Sequence, residues 1–94
     1  MAFVGLAYFR LGLPESFSLK DKRRVIKSIK DKTSSRFNIS VAEVGFQNEK
    51  RRSELAVAMV NSDQALIHRS IMQVLSMIET DGRCEIIDFN LEWL

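Results

Sequence analysis

Along the chain the spacing of apolar positions switches between a period of two and one near 3.6, which divides it into six segments. From Phe3 to Leu13 both alternating faces are apolar, with Phe3, Ala7, Phe9 and Leu11 on one and Val4, Leu6 and Tyr8 on the other. A strand covered on both sides is usually central in its sheet. Gly12-Leu13-Pro14-Glu15-Ser16 ends it, because Pro14 cannot continue the ladder. A helix follows and runs to about Ser34-Ser35-Arg36. At about 100° per residue, its Leu19, Val25, Ile26 and Ile29 share one side. Ser18 is the expected N-cap. Asp21, three residues on, completes a capping-box-like pattern and sets negative charge at the positive end of the helix dipole.

Asn38 to Phe46 reads as a second strand, rich in β-branched residues, and the polar run Gln47 to Arg52 as a hairpin tip or loop. Ser53 to Val60 is the third strand. Leu55, Val57 and Met59 face one way, and Ala56, Ala58 and Val60 the other. Asn61-Ser62-Asp63 offers several N-caps for a second helix to about Thr80, with Ile67, Ile71, Val74, Leu75 and Ile78 as its stripe. Asp81-Gly82 stops it, glycine supplying the left-handed position. Glu85 to Trp93 alternates as the last strand, with Ile87, Phe89, Leu91 and Trp93 inward and Asp88, Asn90 and Glu92 outward.

The order βαββαβ predicts a single α+β domain over residues 1–94, of the ferredoxin-like, split-βαβ kind: a four-stranded antiparallel sheet with two helices on one face. That plan leaves one sheet face uncovered although the first and third strands are apolar on both. Self-association through the open face, as a dimer, or coverage by a partner protein is therefore expected.

Charge sharpens the picture at the first helix. Lys20, Arg23, Arg24, Lys27 and Lys30 gather opposite its apolar stripe, while Lys22 lies close to that stripe and must snorkel or meet a partner. Asp21 and Asp31 only flank the cationic face, so the sequence predicts that i,i+4 pairing leaves it unneutralised. Arg51 and Arg52 add cations in the hairpin loop, and whether that loop meets the helix is left open by the sequence. Net charge is only +2, so the asymmetry is local, which suffices to steer a polyanion. A solubility role for these lysines and arginines is the plainer alternative.

The 46% hydrophobic and 28% charged composition is that of a soluble globular domain, not a disordered chain. The N-terminal run lacks a basic leader and is interrupted by Arg10, and no stretch approaches transmembrane length. A lone Cys84 excludes an intramolecular disulfide or a Cys-based zinc site and fits a reducing compartment. The third strand has no aromatic residue, which disfavours base stacking on the sheet as in RNA-recognition motifs. A Cys pair for heavy metals is missing, and the first loop, Gly12 to Ser18, lacks the Arg that small phosphatases of this fold require. His68, the one histidine, falls on the flank of the second helix as a surface residue, and Cys84 reads as a small packing residue. Trp93 is expected to close the core edge. Ser16 and Ser18 precede a helix N-terminus where phosphate can bind, although capping alone explains them. No nucleophile–base pair, metal-ligand set or cofactor motif stands out, so the expectation is a binding protein rather than an enzyme.

Ser16-Phe17-Ser18-Leu19-Lys20-Asp21-Lys22-Arg23-Arg24 resembles the signature of the YlxP-like family of small bacterial proteins. The likeness continues through Arg36 to Val44 and Glu54 to Ala58 and spans nearly the whole chain. It implies a ferredoxin-like fold, a bacterial cytoplasmic setting and genes among transcription and translation factors, with no established activity to carry over. Relatives commonly show an Asp-His-Gln-Asp-like run with a Trp after the second strand, where this chain has Gly45-Phe46-Gln47-Asn48-Glu49-Lys50. The first reading is thus a cytoplasmic accessory protein that docks RNA or ribosomal phosphates through Lys20, Lys22, Arg23, Arg24, Lys27, Lys30, Arg51 and Arg52. The alternative is a homo-oligomeric protein-interaction or small-ligand module with no nucleic-acid role.

Overall fold

Strand β1 (Phe3–Gly12) hydrogen-bonds to antiparallel neighbours on both sides and forms the middle of the sheet, as its two apolar faces require. The computed structural model describes the whole chain, Met1–Leu94. After β1 come α1 (Leu19–Arg36), β2 (Ser40–Gly45), β3 (Arg52–Asn61), α2 (Gln64–Asp81) and β4 (Glu85–Trp93). The strands lie in the order β2-β3-β1-β4, every neighbouring pair antiparallel. This is the ferredoxin-like α+β arrangement. β2 begins two residues later than the alternation of the sequence implied, Asn38 and Ile39 serving as connection.

Caps hold both helices as their residues dictate. The Ser18 side chain accepts from the Asp21 backbone N–H at 3.0 Å, and the Asp21 carboxylate accepts from the Phe17 N–H at 3.1 Å. Asp63 caps α2 by accepting from Leu66, and Gly82 ends it at φ +85°, a left-handed position that glycine takes without a Cβ clash.

The core lies between the sheet and the helices. Ala7, Phe9 and Leu11 of β1 and Leu55, Val57 and Met59 of β3 meet Ile26 and Ile29 of α1 and Ile67, Ile71, Val74 and Ile78 of α2. Phe9 packs on Phe89 with ring centroids 5.1 Å apart. Cys84 is buried among these side chains, as expected of a packing residue.

Strand β4 departs from strict alternation. Opposite β1, Arg10 pairs with Asp88 but Leu11 pairs with Ile86, so Ile87 is the extra residue of a bulge. Ile86 therefore turns to the core and Ile87, expected inward, is 54% exposed. One added residue reverses every side chain beyond it. Phe89 and Leu91 keep their inward phase and pack on the core, while Trp93, at the sheet edge, stays 40% exposed.

Gly5 is where β1 and α2 approach most closely. A Cβ at that position would lie 2.6 Å from Ile67 Cγ2 and 3.3 Å from Trp93 Cζ3. Gly5→Ala is expected to destabilise the protein by about 1–3 kcal/mol through overpacking, read as a lower midpoint in urea unfolding with an unchanged slope.

Candidate nucleic-acid interface

The cationic residues begin on α1 because Ser18 and Asp21 start the helix there, and the core stripe then fixes which side faces out. Lys22 is on the buried side. Its side chain has no exposed surface, and its ammonium donates to the backbone carbonyls of Phe46 at 2.7 Å, Gln47 at 3.1 Å and Arg52 at 3.2 Å. Glu43 Oε2 lies 3.1 Å from the same nitrogen and also accepts from the Ser53 hydroxyl at 2.6 Å. Three carbonyls match the three ammonium protons, and the carboxylate balances the charge. Lys22 thus cannot serve as a phosphate contact. It is a partnered residue, and its partner is the hairpin between β2 and β3.

That clamp settles the place of the hairpin loop, which lies against the first turns of α1. Leu13 N–H donates to the Arg51 carbonyl, and Arg51 Nε donates to the Ser16 carbonyl at 3.1 Å. Leu19 and the loop residues Asn48 to Arg52 line one shared cleft of about 520 Å³. The loop cations therefore stand beside the N-terminal turns of α1.

Not every cation named from sequence remains unpaired. Lys27 donates to Asp31 at 2.8 Å, an i,i+4 pair that the sequence reading held incapable of neutralising this face. Both groups are solvated, so the pair adds little stability, but it raises the Lys27 pKa through its hydrogen bond to Asp31 and cancels its charge locally. Arg52 pairs with Glu49 at 2.7 Å and stacks 4.5 Å from the Phe46 centroid. Lys20, Arg23, Arg24 and Lys30 on α1 and Lys50 and Arg51 in the loop have no carboxylate within ion-pair distance. These six, exposed except for the half-buried Lys30, are the available cations.

Several residues of this region were not singled out by sequence. Glu43 and Ser53 complete the Lys22 site. Phe46 sits beneath Arg10 and Arg52, at 5.5 Å and 4.5 Å, and Phe17 beneath Arg51 at 5.2 Å. The one local clue was Phe17 itself, an aromatic residue just before the N-cap with a lysine, not an apolar residue, at the position it would staple.

At the far end of α2, Arg83 holds Asp81 through two 2.7 Å contacts and donates to Ser28 of α1 at 3.0 Å. That hydrogen-bonding guanidinium keeps the Asp81 carboxyl below its ordinary pKa, and Lys32 adds attraction from 3.8 Å. Its role is to tie the two helices. The open sheet face carries charges of both signs. Asp88 and Asn90 line a cleft of about 230 Å³ with Tyr8, Arg10 and Glu54, and Arg10 is spent on Glu54 at 3.4 Å. His68 is exposed, and no three His, Cys, Asp or Glu side chains come together in a way that would hold a metal ion. No helix is long and apolar enough to cross a membrane.

Removing the Lys22 ammonium would strand Glu43 and three loop carbonyls. Lys22→Met is expected to lower the unfolding free energy by about 3–5 kcal/mol, measured by urea denaturation. Burial, aided by the Asp81 charge, pushes the Cys84 thiol up to about 11. The thiol, not the thiolate, persists in the folded protein until the pH nears that value, so its stabilising preference for the protonated form is full below the ordinary cysteine range and lost as the pH climbs through about 11. At pH about 8, alkylation of Cys84 should be undetectable in the folded protein and rapid once denaturant is added.

Comparison with known proteins agrees with the fold and leaves the activity open. Over 90 residues the chain is 29% identical to the "Uncharacterized protein YlxP" of Bacillus subtilis (strain 168), covering 96% of this chain and 98% of that protein. Among solved structures it is similar to the de novo designed protein Foldit4, with a TM-score of 0.59 at 20% identity and 96% of each chain covered, a likeness of fold alone. The profile of the family described as "Protein of unknown function (DUF503)" matches residues 4–91, and the chain belongs to that family.

Proposed function

We propose that this protein is a cytoplasmic accessory factor that docks onto RNA, including the RNA of ribosomes, by gripping phosphates with the basic end of the molecule. The observation that carries this reading is that Lys20, Arg23, Arg24 and Lys30 of α1 lack carboxylate partners and that the loop bearing Lys50 and Arg51 docks beside the first turns of the same helix. Arginine forks onto phosphate oxygens with two donors, and a fixed cluster of such groups gains from counterion release on binding. Lys27, which has Asp31, and Lys22, which is buried, do not contribute contacts.

A second reading concerns the open sheet face. Val44, Val60 and Ile87 are about half exposed there, beside the half-buried Leu6, Tyr8, Ala56 and Ala58. Such a surface favours association of two copies. The two readings use opposite faces and are compatible.

The test of RNA docking is a triple charge reversal, Lys20→Glu, Arg23→Glu and Arg24→Glu. Binding to single-stranded RNA should fall below detection at moderate salt, while the melting temperature stays near that of the wild type because none of the three is buried or paired. For the wild type, log affinity should fall against log salt with a slope of about −0.7 per phosphate contact. Wild-type affinity in the triple variant refutes the proposal.

A further inference from the structure

We propose that Phe17 is a stacking platform for an unpaired base, so that the basic end takes single-stranded RNA in preference to duplex; this rests on the phosphate-docking reading above. Phe17 is 67% exposed, an unusual state for a phenylalanine in a well-packed small domain. Its position, immediately before the N-cap, is one where an apolar residue ordinarily packs on the fourth residue of the helix. Here that residue is Lys22, a lysine turned inward to the hairpin, so the usual apolar partner is missing.

The ring is nonetheless held in place. Its backbone N–H donates to Asp21, and Arg51 lies 5.2 Å from the ring centroid while its Nε is fastened to the Ser16 carbonyl. Phe17 therefore presents an exposed aromatic ring with the Arg51 guanidinium held over it. Base–aromatic stacking with an adjacent guanidinium is the arrangement that single-stranded nucleic acid uses without regard to sequence. Lys20 and Arg24 follow on the first turns of the same helix, and Lys50 lies in the adjoining loop cleft, where a backbone running past the stacked base meets cations. Phe46 does not offer the same surface, because it is half-buried and two guanidinium groups already lie against it. Duplex RNA keeps its bases paired and stacked and has no face to give to Phe17.

The experiment compares Phe17→Ala and Phe17→Trp with the wild type, using a short single-stranded RNA bearing 2-aminopurine and a blunt RNA duplex of the same length. Phe17→Ala should weaken single-strand affinity roughly five- to a hundredfold and abolish the fluorescence change of stacking, with duplex affinity within about twofold and the salt slope unaltered. Phe17→Trp should restore both signals. The exposed ring can be removed without harm to the fold, which an unchanged melting temperature verifies. If Phe17→Ala binds the single strand as the wild type does while the Lys20/Arg23/Arg24 reversal does not, the platform is overturned and phosphate docking stands. If the charge reversal also binds like the wild type, the underlying reading falls. Equal weakening toward single strand and duplex overturns the platform too, since the ring would then act on the shape of the site and not on a base.

Discussion

A single buried ammonium decides how the first helix and the first hairpin meet. Lys22 carries its charge into a place with no solvent, which on its own would cost several kcal/mol, and the cost is offset only because three carbonyls and Glu43, itself held by the Ser53 hydroxyl, close around it. The partners come from both strands of the hairpin and from its loop. Phe46 takes a left-handed backbone, φ +58°, which a bulky residue adopts at a cost, and its carbonyl makes the shortest of the three bonds to Lys22. The loop conformation and the buried charge thus support each other. An apolar residue in place of Lys22 would fill the space but leave the loop carbonyls without donors.

From that clamp follows the geometry of the basic end. The hairpin is brought to the N-terminal turns of α1, so Lys50 and Arg51 join Lys20, Arg23 and Arg24 instead of standing at a distance. The open face carries Asp88 and an Arg10 paired with Glu54, and Arg10 shares the Phe46 ring with Arg52 of the hairpin. A net charge of +2 therefore hides cations on α1 and in the loop that have no carboxylate partner. Attraction of any polyanion would depend on the local field more than on the total.

The cations left for a partner are those for which the fold supplies no carboxylate. Lys22 and Arg83 are tied into structure, the first holding the hairpin and the second linking α2 to α1 through Asp81 and Ser28. Lys27 and Arg52 have acidic neighbours of their own. What is left over is a compact set of unpaired cations beside an unpacked phenylalanine. Membership of a family of unknown function neither adds to nor subtracts from this, and the physical argument rests on the side chains alone.

Much of the architecture was legible in the sequence. Period-two and period-3.6 patterns, Ser18 and Asp63 as caps and Gly82 as a stop are local signals, and local signals set element type and order; the order βαββαβ then leaves few topologies. The two-sided apolar pattern of residues 3–13 likewise announced the central strand. The bulge at Ile87 was not legible, because register depends on the opposing strand, and neither was the end at which the hairpin loop docks. Helix periodicity marked Lys22 as misplaced but grouped it with the phosphate contacts; only the tertiary fold brought Glu43, some twenty residues away in the chain, to the same nitrogen. An ion pair between distant segments leaves no trace in local spacing, since its attraction depends on separation in space and on the exclusion of water, and chain folding sets both.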